Sequence, residues 1–218
     1  MGKIDVTIEI LSPIHLSSGQ ANVNIDADIV RDEFGLPYFP AKRFKGLLYE
    51  SAVEVVEMFA LSGLATEESS PLEKIFHRQS ESEVQLIVPN FFIRPLAEYE
   101  QLCAEWKYLQ WKFSEIFTST AILDAFTTLR YQTRLEDGVT AKGSLRNLRV
   151  LDAGLTFFGE ITLLNGDEEI LNLLALAIKN LNSAGTKRNR GFGQIKCMAN
   201  FDGIDAEEIA RKIFAKVA

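Results

Sequence analysis

The feature that most constrains the fold is a strict alternation of apolar and polar residues near the start of the chain. Between residues 3 and 10, every second position carries a branched aliphatic side chain: Ile4, Val6, Ile8 and Ile10. Because successive side chains of a strand point to opposite faces, this period of two predicts a strand with one buried face. Pro13 is expected to end the strand, since proline has no N–H to donate to a sheet.

Further apolar patterns supply partners for this strand. They predict strands over residues 84–93, 154–164 and 195–198, and helices over residues 43–61, 168–182 and 205–216. The order strand, helix, strand, strand, helix, strand is an α+β, ferredoxin-like βαββαβ plan, which is also the plan of the RNA-recognition motif. Many unrelated activities use this plan, so the fold alone does not settle the function.

Two segments stand outside the plan. Residues 17–40 have little periodicity and several glycines and prolines, which predicts a long ordered N-terminal loop, and such loops are usually functional. Residues 96–129 have a helical pattern with many aromatics, and Asp137-Gly138 is a turn signal. We interpret residues 1–218 as a single domain with an inserted helical region at about 96–142.

Composition excludes several classes of protein. The chain has 218 residues, of which 47% are hydrophobic, so it can bury a real core and needs no cofactor to fold. Cys103 and Cys197 are far apart without CxxC spacing, which predicts two reduced thiols and excludes a cysteine metal site. No apolar run approaches the roughly 18 residues of a membrane span. A soluble, cytoplasmic protein with no membrane partner is expected.

The net charge of −7 argues at first against a nucleic-acid partner, but the charges are segregated. Residues 50–115 hold 12 acids and 5 bases, so the remainder of the chain is neutral and its bases form three clusters. The clusters are Lys42, Arg43 and Lys45; Arg130, Arg134, Lys142, Arg146 and Arg149; and Lys187, Arg188, Arg190 and Lys196. A solvated charged face is the usual explanation of one cluster. Three clusters beside glycines or turns favour a binding surface, with the acidic segment lying away from it.

The glycine-rich stretch GTKRNRGFGQIK, residues 185–196, lies between a predicted helix and a predicted strand. Gly185, Gly191 and Gly193 allow close approach of the backbone to a ligand, and successive N–H groups of such turns bind anions. The spacing does not fit a Walker loop, and a strand follows where a dinucleotide fingerprint needs a helix. A phosphate-binding loop and a plain connection between helix and strand remain open alternatives.

A second stretch, residues 25–48, combines loop aspartates with a basic helix start. Lys42, Arg43 and Lys45 lie where the helix dipole disfavours cations unless an anion is bound there. Three aspartates precede them: Asp26, Asp28 and Asp32. Carboxylates beside a phosphate-binding surface hold metal ions or position hydroxyls, whereas loop aspartates also serve as caps and turn formers. The second role is expected for at least one of the three.

Several motifs together resemble the RAMP superfamily of CRISPR-associated proteins. In chain order they are Pro13-Ile14-His15-Leu16-Ser17-Ser18-Gly19, Asp26, Val30-Arg31-Asp32, Gly35-Leu36-Pro37-Tyr38-Phe39-Pro40, Lys45-Gly46, Lys74-Ile75-Phe76, Gly143-Ser144-Leu145-Arg146 and Phe157-Phe158-Gly159-Glu160-Ile161, followed by the glycine-rich stretch. The chain is most similar to the backbone subunit of type III interference complexes. It departs from the usual pattern at residues 41–44, where Ala-Lys-Arg-Phe replaces small residues.

The resemblance implies a subunit that polymerises with copies of itself and other subunits along a CRISPR guide RNA. It also implies a thumb-like hairpin, expected within residues 127–144. It further implies cleavage of complementary target RNA, in which a divalent metal ion, expected to be magnesium, promotes attack of the neighbouring 2′-hydroxyl. The matching catalytic position is Asp26. The implied RNA-binding residues are Lys42, Arg43, Lys45, Gly46, Arg130, Arg134, Lys142, Gly185, Lys187, Arg188, Arg190, Gly191 and Gly193.

Other functions stay open from the sequence. One is a related subunit that only caps or bridges such a complex without cleaving RNA. Another is a metal-independent ribonuclease that processes guide RNA through His15, although a histidine among apolar neighbours is more often structural. Outside the family, an acidic ferredoxin-like interaction domain is the remaining alternative.

Overall fold

A computed structural model describes residues 2–21, 25–62, 71–76, 83–188 and 191–217. Within these ranges the chain forms eleven strands and six helices. The strands are β1 (Gly2–Ile10), β2 (Tyr38–Phe39), β3 (Gln85–Ile87), β4 (Phe91–Phe92), β5 (Thr127–Gln132), β6 (Leu135–Glu136), β7 (Val139–Thr140), β8 (Arg146–Leu151), β9 (Thr156–Leu164), β10 (Ile195–Phe201) and β11 (Ile204–Asp205). The helices are α1 (Ala41–Leu61), α2 (Pro71–Phe76), α3 (Leu96–Lys112), α4 (Ser119–Asp124), α5 (Glu168–Asn180) and α6 (Ala206–Val217).

The main sheet is antiparallel, with the strand order β11-β10-β1-β9-β4-β2, and β3 also pairs with β9. The first strand is therefore central, and its Ile4 is paired with Ile161 on one side and Phe201 on the other. The order β10, β1, β9 and β3/β4 is that of the four strands of a ferredoxin-like sheet. The predicted fold class is confirmed.

Helices α1 and α5 cover one face of the sheet. The four alternating aliphatic residues of β1 point into this layer and are at most 2% exposed. The two helices also meet through a polar contact, since the buried Ser51 hydroxyl donates to the Ala177 carbonyl at 2.7 Å. Asp167 caps α5 by accepting from the N–H of Ile170, as expected of an N-cap aspartate.

Two predicted elements differ from the structure. The single strand expected over residues 84–93 is divided into β3 and β4, and Pro89 lies in the break because it has no N–H for the ladder. The helical pattern expected over residues 96–129 gives α3 and α4, but the chain turns into β5 at Thr127. Thr127 and Thr128 are β-branched and open a pattern typical of a strand.

A separate hairpin extends between α4 and β9. Its two long strands, β5 and β8, pair from Thr127↔Leu151 to Gln132↔Arg146, and the short pair β6 and β7 lies toward the tip. We call residues 127–151 the thumb. The predicted range of 127–144 includes the outgoing strand and the tip but not the returning strand. No helix in the described ranges is both long and apolar enough to cross a membrane.

Candidate nucleic-acid interface

Residues 13–18, here called the strap, leave β1 and connect two parts of the interface. Ile14 exchanges backbone hydrogen bonds with Leu151 at the base of the thumb, at 3.0 and 2.8 Å. On the other side, the carbonyls of Pro13 and His15 accept the N–H groups of Gly193 and Thr186. The strap therefore holds the thumb base and the glycine-rich loop, residues 185–193, on either side of itself.

The aspartate loop, residues 25–32, runs beside β8 of the thumb. Ala27 forms a parallel bridge with Leu148, and its carbonyl accepts from the N–H of Arg149 at 3.0 Å. One residue earlier, the Asp26 N–H donates to Asn147 Oδ1 and the Asn147 N–H donates to Asp26 Oδ2, both at 2.8 Å. The loop thus has a fixed register against the returning strand of the thumb.

The three loop aspartates have different environments. Asp28 is 5% exposed and its carboxylate pairs with Arg149 Nε at 3.2 Å and with Arg31 at 2.9 Å. Asp32 accepts the N–H groups of Phe34 and Leu36, as a turn former does, and also the Tyr99 hydroxyl at 2.5 Å. Burial and the Asp32 carboxylate raise the pKa of Tyr99.

Asp26 is the aspartate of this loop that stays at the surface. Its side chain is 43% exposed, and Arg146 lies 3.4 Å from Oδ1. One edge of the carboxylate is thus held by the thumb strand, and the rest is accessible. The catalytic role of Asp26 stays a prediction.

The glycine-rich loop is shaped by close backbone contact with its surroundings. Gly193 has φ +77°, and a Cβ there would lie 2.0 Å from the Ala184 carbonyl oxygen. Gly185 has φ +80°, and a Cβ would lie 2.9 Å from the His15 carbonyl oxygen. Both positions therefore require glycine on steric grounds, whereas a Cβ on Gly191 would meet nothing within 4 Å.

The cations of this loop point in different directions. The Lys187 ammonium donates to Gln132 at the end of β5, which brings the loop to the thumb. Arg188 instead lies 3.6 Å from Glu50 on α1. The expectation that the acidic segment lies away from the basic clusters is therefore wrong at its first residue. Arg190 lies outside the described residues.

The start of α1 carries basic residues and no acid in its first turn. Lys42 is exposed, and Arg43 reaches back to donate from Nη2 to the Ser17 carbonyl of the strap at 2.9 Å. Burial lowers the pKa of Arg43, and its Nη1 is buried without a hydrogen-bond partner in the described part of the chain. Lys45 is turned elsewhere, toward the Leu86 carbonyl of β3 at 3.1 Å.

Gly46 lies on the exposed side of α1, where a Cβ would meet no atom within 4 Å. Glycine inside a helix costs about 0.5–1 kcal/mol relative to alanine, because it loses more backbone freedom on folding. No described neighbour within the chain requires this glycine on steric grounds.

The predicted thumb cations are spread along the hairpin. Arg130 lies on β5, Arg134 pairs with Glu136, and Lys142 follows β7, all three being exposed. The structure thus brings the α1 and glycine-rich clusters together at the strap. Of the thumb cluster, only Arg134 and Lys142 lie beyond Gln132, and Arg149 is buried at the base of the thumb.

His15 is a structural residue of the strap. It is 4% exposed, and its Nδ1 lies 2.7 Å from the Arg149 carbonyl oxygen. Since a carbonyl only accepts, Nδ1 carries the proton. Burial lowers the pKa of His15, and the charges of Lys187 and Arg43 lower it further. The neutral, buried ring does not support the alternative of a His15 ribonuclease.

The described residues contain no group of three histidine, cysteine or acidic side chains placed to hold a metal ion. Asp26 is the accessible carboxylate of the aspartate loop, and Arg146 already balances its charge. Magnesium often binds one or two carboxylates together with substrate phosphates. The described part of the chain therefore supplies no complete ligand set, and a metal beside Asp26 would need ligands from bound RNA.

Asn147 was not among the predicted site residues. Arg149 was predicted only as a member of a basic cluster on a binding surface, and this expectation is wrong, because its side chain is buried and paired within the chain. Arg149 nevertheless left a signal, since it is a cation inside the apolar run Leu148-Arg149-Val150-Leu151. A charged residue in a buried strand is almost always paired. No sequence signal pointed to Asn147, because its partner Asp26 lies 121 positions away in the chain.

The strand order, the two covering helices and the basic surface at the strap define a ferredoxin-like domain of the RNA-recognition-motif type. The chain belongs to the RAMP superfamily, whose family model matches residues 7–196. No curated protein sequence matches it significantly.

Two solved structures share the fold over nearly all of their length. A chain of the cryo-EM structure of Type III-B Cmr-beta bound to cognate target RNA is 11% identical, with a TM-score of 0.61 over 95% of this chain and 98% of that chain. A chain of Cmr-beta in the apo state is 14% identical, with a TM-score of 0.58 over 93% and 98%. At these identities the likeness establishes the fold alone.

Proposed function

We propose that this chain is a guide-RNA-binding backbone subunit of a type III CRISPR interference complex, present in several copies along the guide. The observation that carries the proposal is the meeting of the α1 start and the glycine-rich loop at the strap, through Arg43 to Ser17 and Thr186 to His15. Family membership supports a CRISPR role. The similar structures come from Type III-B Cmr-beta, one of them bound to cognate target RNA, which supports the type of complex.

The chemistry of the surface suits an RNA backbone. Backbone N–H groups in positive-φ turns and lysine and arginine side chains bind phosphates without reading sequence. Lys42 at the start of α1 and Lys187 of the glycine-rich loop are both exposed to solvent. A phosphate at the start of α1 would also remove the unfavourable placement of cations there.

Binding is tested by the salt dependence of affinity for single-stranded RNA. Lys42→Gln and Lys187→Gln each remove a phosphate contact, so the slope of log K against log salt should fall by about 0.7 per variant. Lys212→Gln on α6 is the matched control, since Lys212 pairs with Glu208 away from the strap. Equal slopes in all variants would contradict the proposed surface.

Cleavage of the target strand is the finer part of the proposal. Asp26, together with a magnesium ion that RNA phosphates also ligate, would promote attack of the neighbouring 2′-hydroxyl. Asp26→Asn keeps the acceptor for the Asn147 N–H but removes the charge. We expect a loss of cleavage of at least about a hundredfold, with unchanged RNA affinity. Asp202→Asn is the control, because Asp202 lies at a β10–β11 turn with φ 48°, which asparagine tolerates.

A second candidate is a non-catalytic subunit that caps or bridges the complex. It is favoured by the pairing of Asp26 with both Arg146 and Asn147, which suffices to explain Asp26 as a clamp on the thumb. Native mass spectrometry of the complex with guide RNA separates the two: several copies per guide support the backbone role, and one copy supports the cap. Unchanged cleavage by Asp26→Asn would remove the catalytic assignment and leave RNA binding standing.

A further inference from the structure

One buried cation joins four segments at the base of the thumb. Arg149 is 6% exposed, and its Nε forms an ion pair with Asp28 Oδ1 of the aspartate loop at 3.2 Å, without the geometry of a hydrogen bond. Its Nη1 contacts Asp124 at the end of α4 and donates to the Thr127 hydroxyl of β5 at 2.7 Å. Its backbone carbonyl is the partner of His15. The RNA-binding surface does not use this side chain, so its burial needs another explanation.

The contacts of Arg149 set the register of the aspartate loop. Residues 26, 27 and 28 align with residues 147, 148 and 149, with a side-chain pair at each end and a backbone bridge between them. The outer pair, Asp26 with Asn147, is accessible to water, whereas the inner pair is buried. A slip of one residue along a strand turns every side chain to the other face. The buried pair at position 28 therefore determines where Asp26 points.

We propose that Arg149 is the positioning residue for Asp26, locking the aspartate loop to the thumb base through Asp28 and Asp124. This inference rests on the proposed function for its catalytic consequence. Its structural part, that Arg149 holds the aspartate loop in place, does not depend on catalysis. Asp28 remains paired with Arg31 when Arg149 is changed, and the side chain of Arg31 is 35% exposed and tied to the same loop. Arg31 therefore cannot fix the loop to the thumb.

Hydrogen exchange of the free 218-residue chain tests whether Arg149 holds the aspartate loop in place. In the wild type, the amides of Asp26, Asp28 and Val30 donate to Asn147, Gln20 and Leu16, and should exchange slowly. Arg149→Met removes the charge at similar size, so exchange in residues 25–31 should accelerate by about a hundredfold, as breaking a buried ion pair implies. Exchange in β10 and α5 should not change. Arg149→Lys should give an intermediate effect, and Arg211→Met on α6 should give none.

Cleavage kinetics test the catalytic consequence. With guide and complementary target RNA, Arg149→Met should lower kcat by about a hundredfold through misplacement of Asp26, while the RNA dissociation constant stays within about twofold. Arg149→Lys should recover part of the rate. A merely structural role would lower affinity and rate together.

Each outcome decides whether Arg149 positions Asp26 or has only a general structural role. Wild-type exchange of the aspartate loop in Arg149→Met overturns the proposal, as does equal acceleration in β10 and α5. If Arg149→Met does not fold, Asp124→Asn replaces it, because the Asp124 side chain is 57% exposed and its change is tolerated more easily. A smaller acceleration of exchange confined to residues 25–31 is then expected, and its absence overturns the proposal. If the wild type does not cleave RNA, the proposed catalysis fails, and the exchange data still decide the role of Arg149.

Discussion

The helix-covered face of the sheet and the junction between strap, aspartate loop and thumb are stabilised in different ways. The first is a continuous apolar cluster that includes all four alternating residues of β1. The second shares this cluster through Ile14, Leu16 and Ile29, and adds to it a buried arginine, a buried aspartate and a buried histidine, each with a defined partner. Apolar burial is non-directional, whereas ion pairs and hydrogen bonds require their partners in place. The core therefore sets overall stability, and the junction sets the geometry of the surface.

The largest effect should come from the core, where neighbouring phenylalanines of β9 form a matched pair. Phe157 is fully buried against Phe39, whereas Phe158 faces the open side of the sheet and is partly exposed. Phe157→Ala should lower the free energy of unfolding by about 3–5 kcal/mol through cavity formation. Phe158→Ala should cost clearly less in the same urea titration. Similar losses would mean that both faces of the sheet are stabilised alike.

The glycine-rich loop offers the next comparison, between two glycines of nearly equal φ. Gly191→Ala should cost about 1–2 kcal/mol, the usual penalty for a side chain in the left-handed region. Gly193→Ala adds the collision with the Ala184 carbonyl and should cost about 2–5 kcal/mol in total. Urea titration of both variants measures the difference. Equal costs would show that close contact with the rest of the chain does not shape this loop.

The junction should also give stability a dependence on pH. Burial lowers the pKa of His15 in the folded chain, while the unfolded chain keeps a value of about 6.5. Below about pH 6.5 the unfolded chain binds more protons, so the free energy of unfolding decreases as pH falls toward the folded pKa. His15→Asn keeps an amide N–H that can donate to the Arg149 backbone carbonyl, and asparagine does not ionise. Its stability should vary less between about pH 8 and about pH 5 than that of the wild type, and parallel curves would contradict this.

The smallest effect separates stability from binding. Gly46→Ala should raise the free energy of unfolding by about 0.4–1 kcal/mol, because the position is helical, exposed and free of steric contacts. If RNA approaches α1 closely at this point, as the RNA-binding prediction requires, the same variant should bind RNA more weakly. Calorimetry and a binding titration on one preparation measure both. Greater stability with unchanged affinity would remove Gly46 from the RNA-binding surface.

The contrast between the apolar core and the polar junction also explains which features were predictable from sequence. The alternation in β1 and the helical spacing in α1 and α5 follow from local periodicity, and their positions agree closely with the structure. The break at Pro89 and the start of β5 at Thr127 were missed, since a short apolar run does not distinguish one strand from two or a strand from a helix. The partners of Asp28 and Asp26 on the thumb, and the partner of His15, lie at least 120 positions away. No local pattern encodes such pairs.

The central position of β1 affects how the chain is made. Its neighbours in the sheet are β9 and β10, which begin at residues 156 and 195, so β1 pairs with strands that are synthesised much later. At usual elongation rates this interval is on the order of ten seconds, during which four isoleucine and valine side chains of β1 lack their sheet partners. Folding of this domain is thus mainly a late event in its synthesis, and an exposed apolar strand is the state that chaperones would meet.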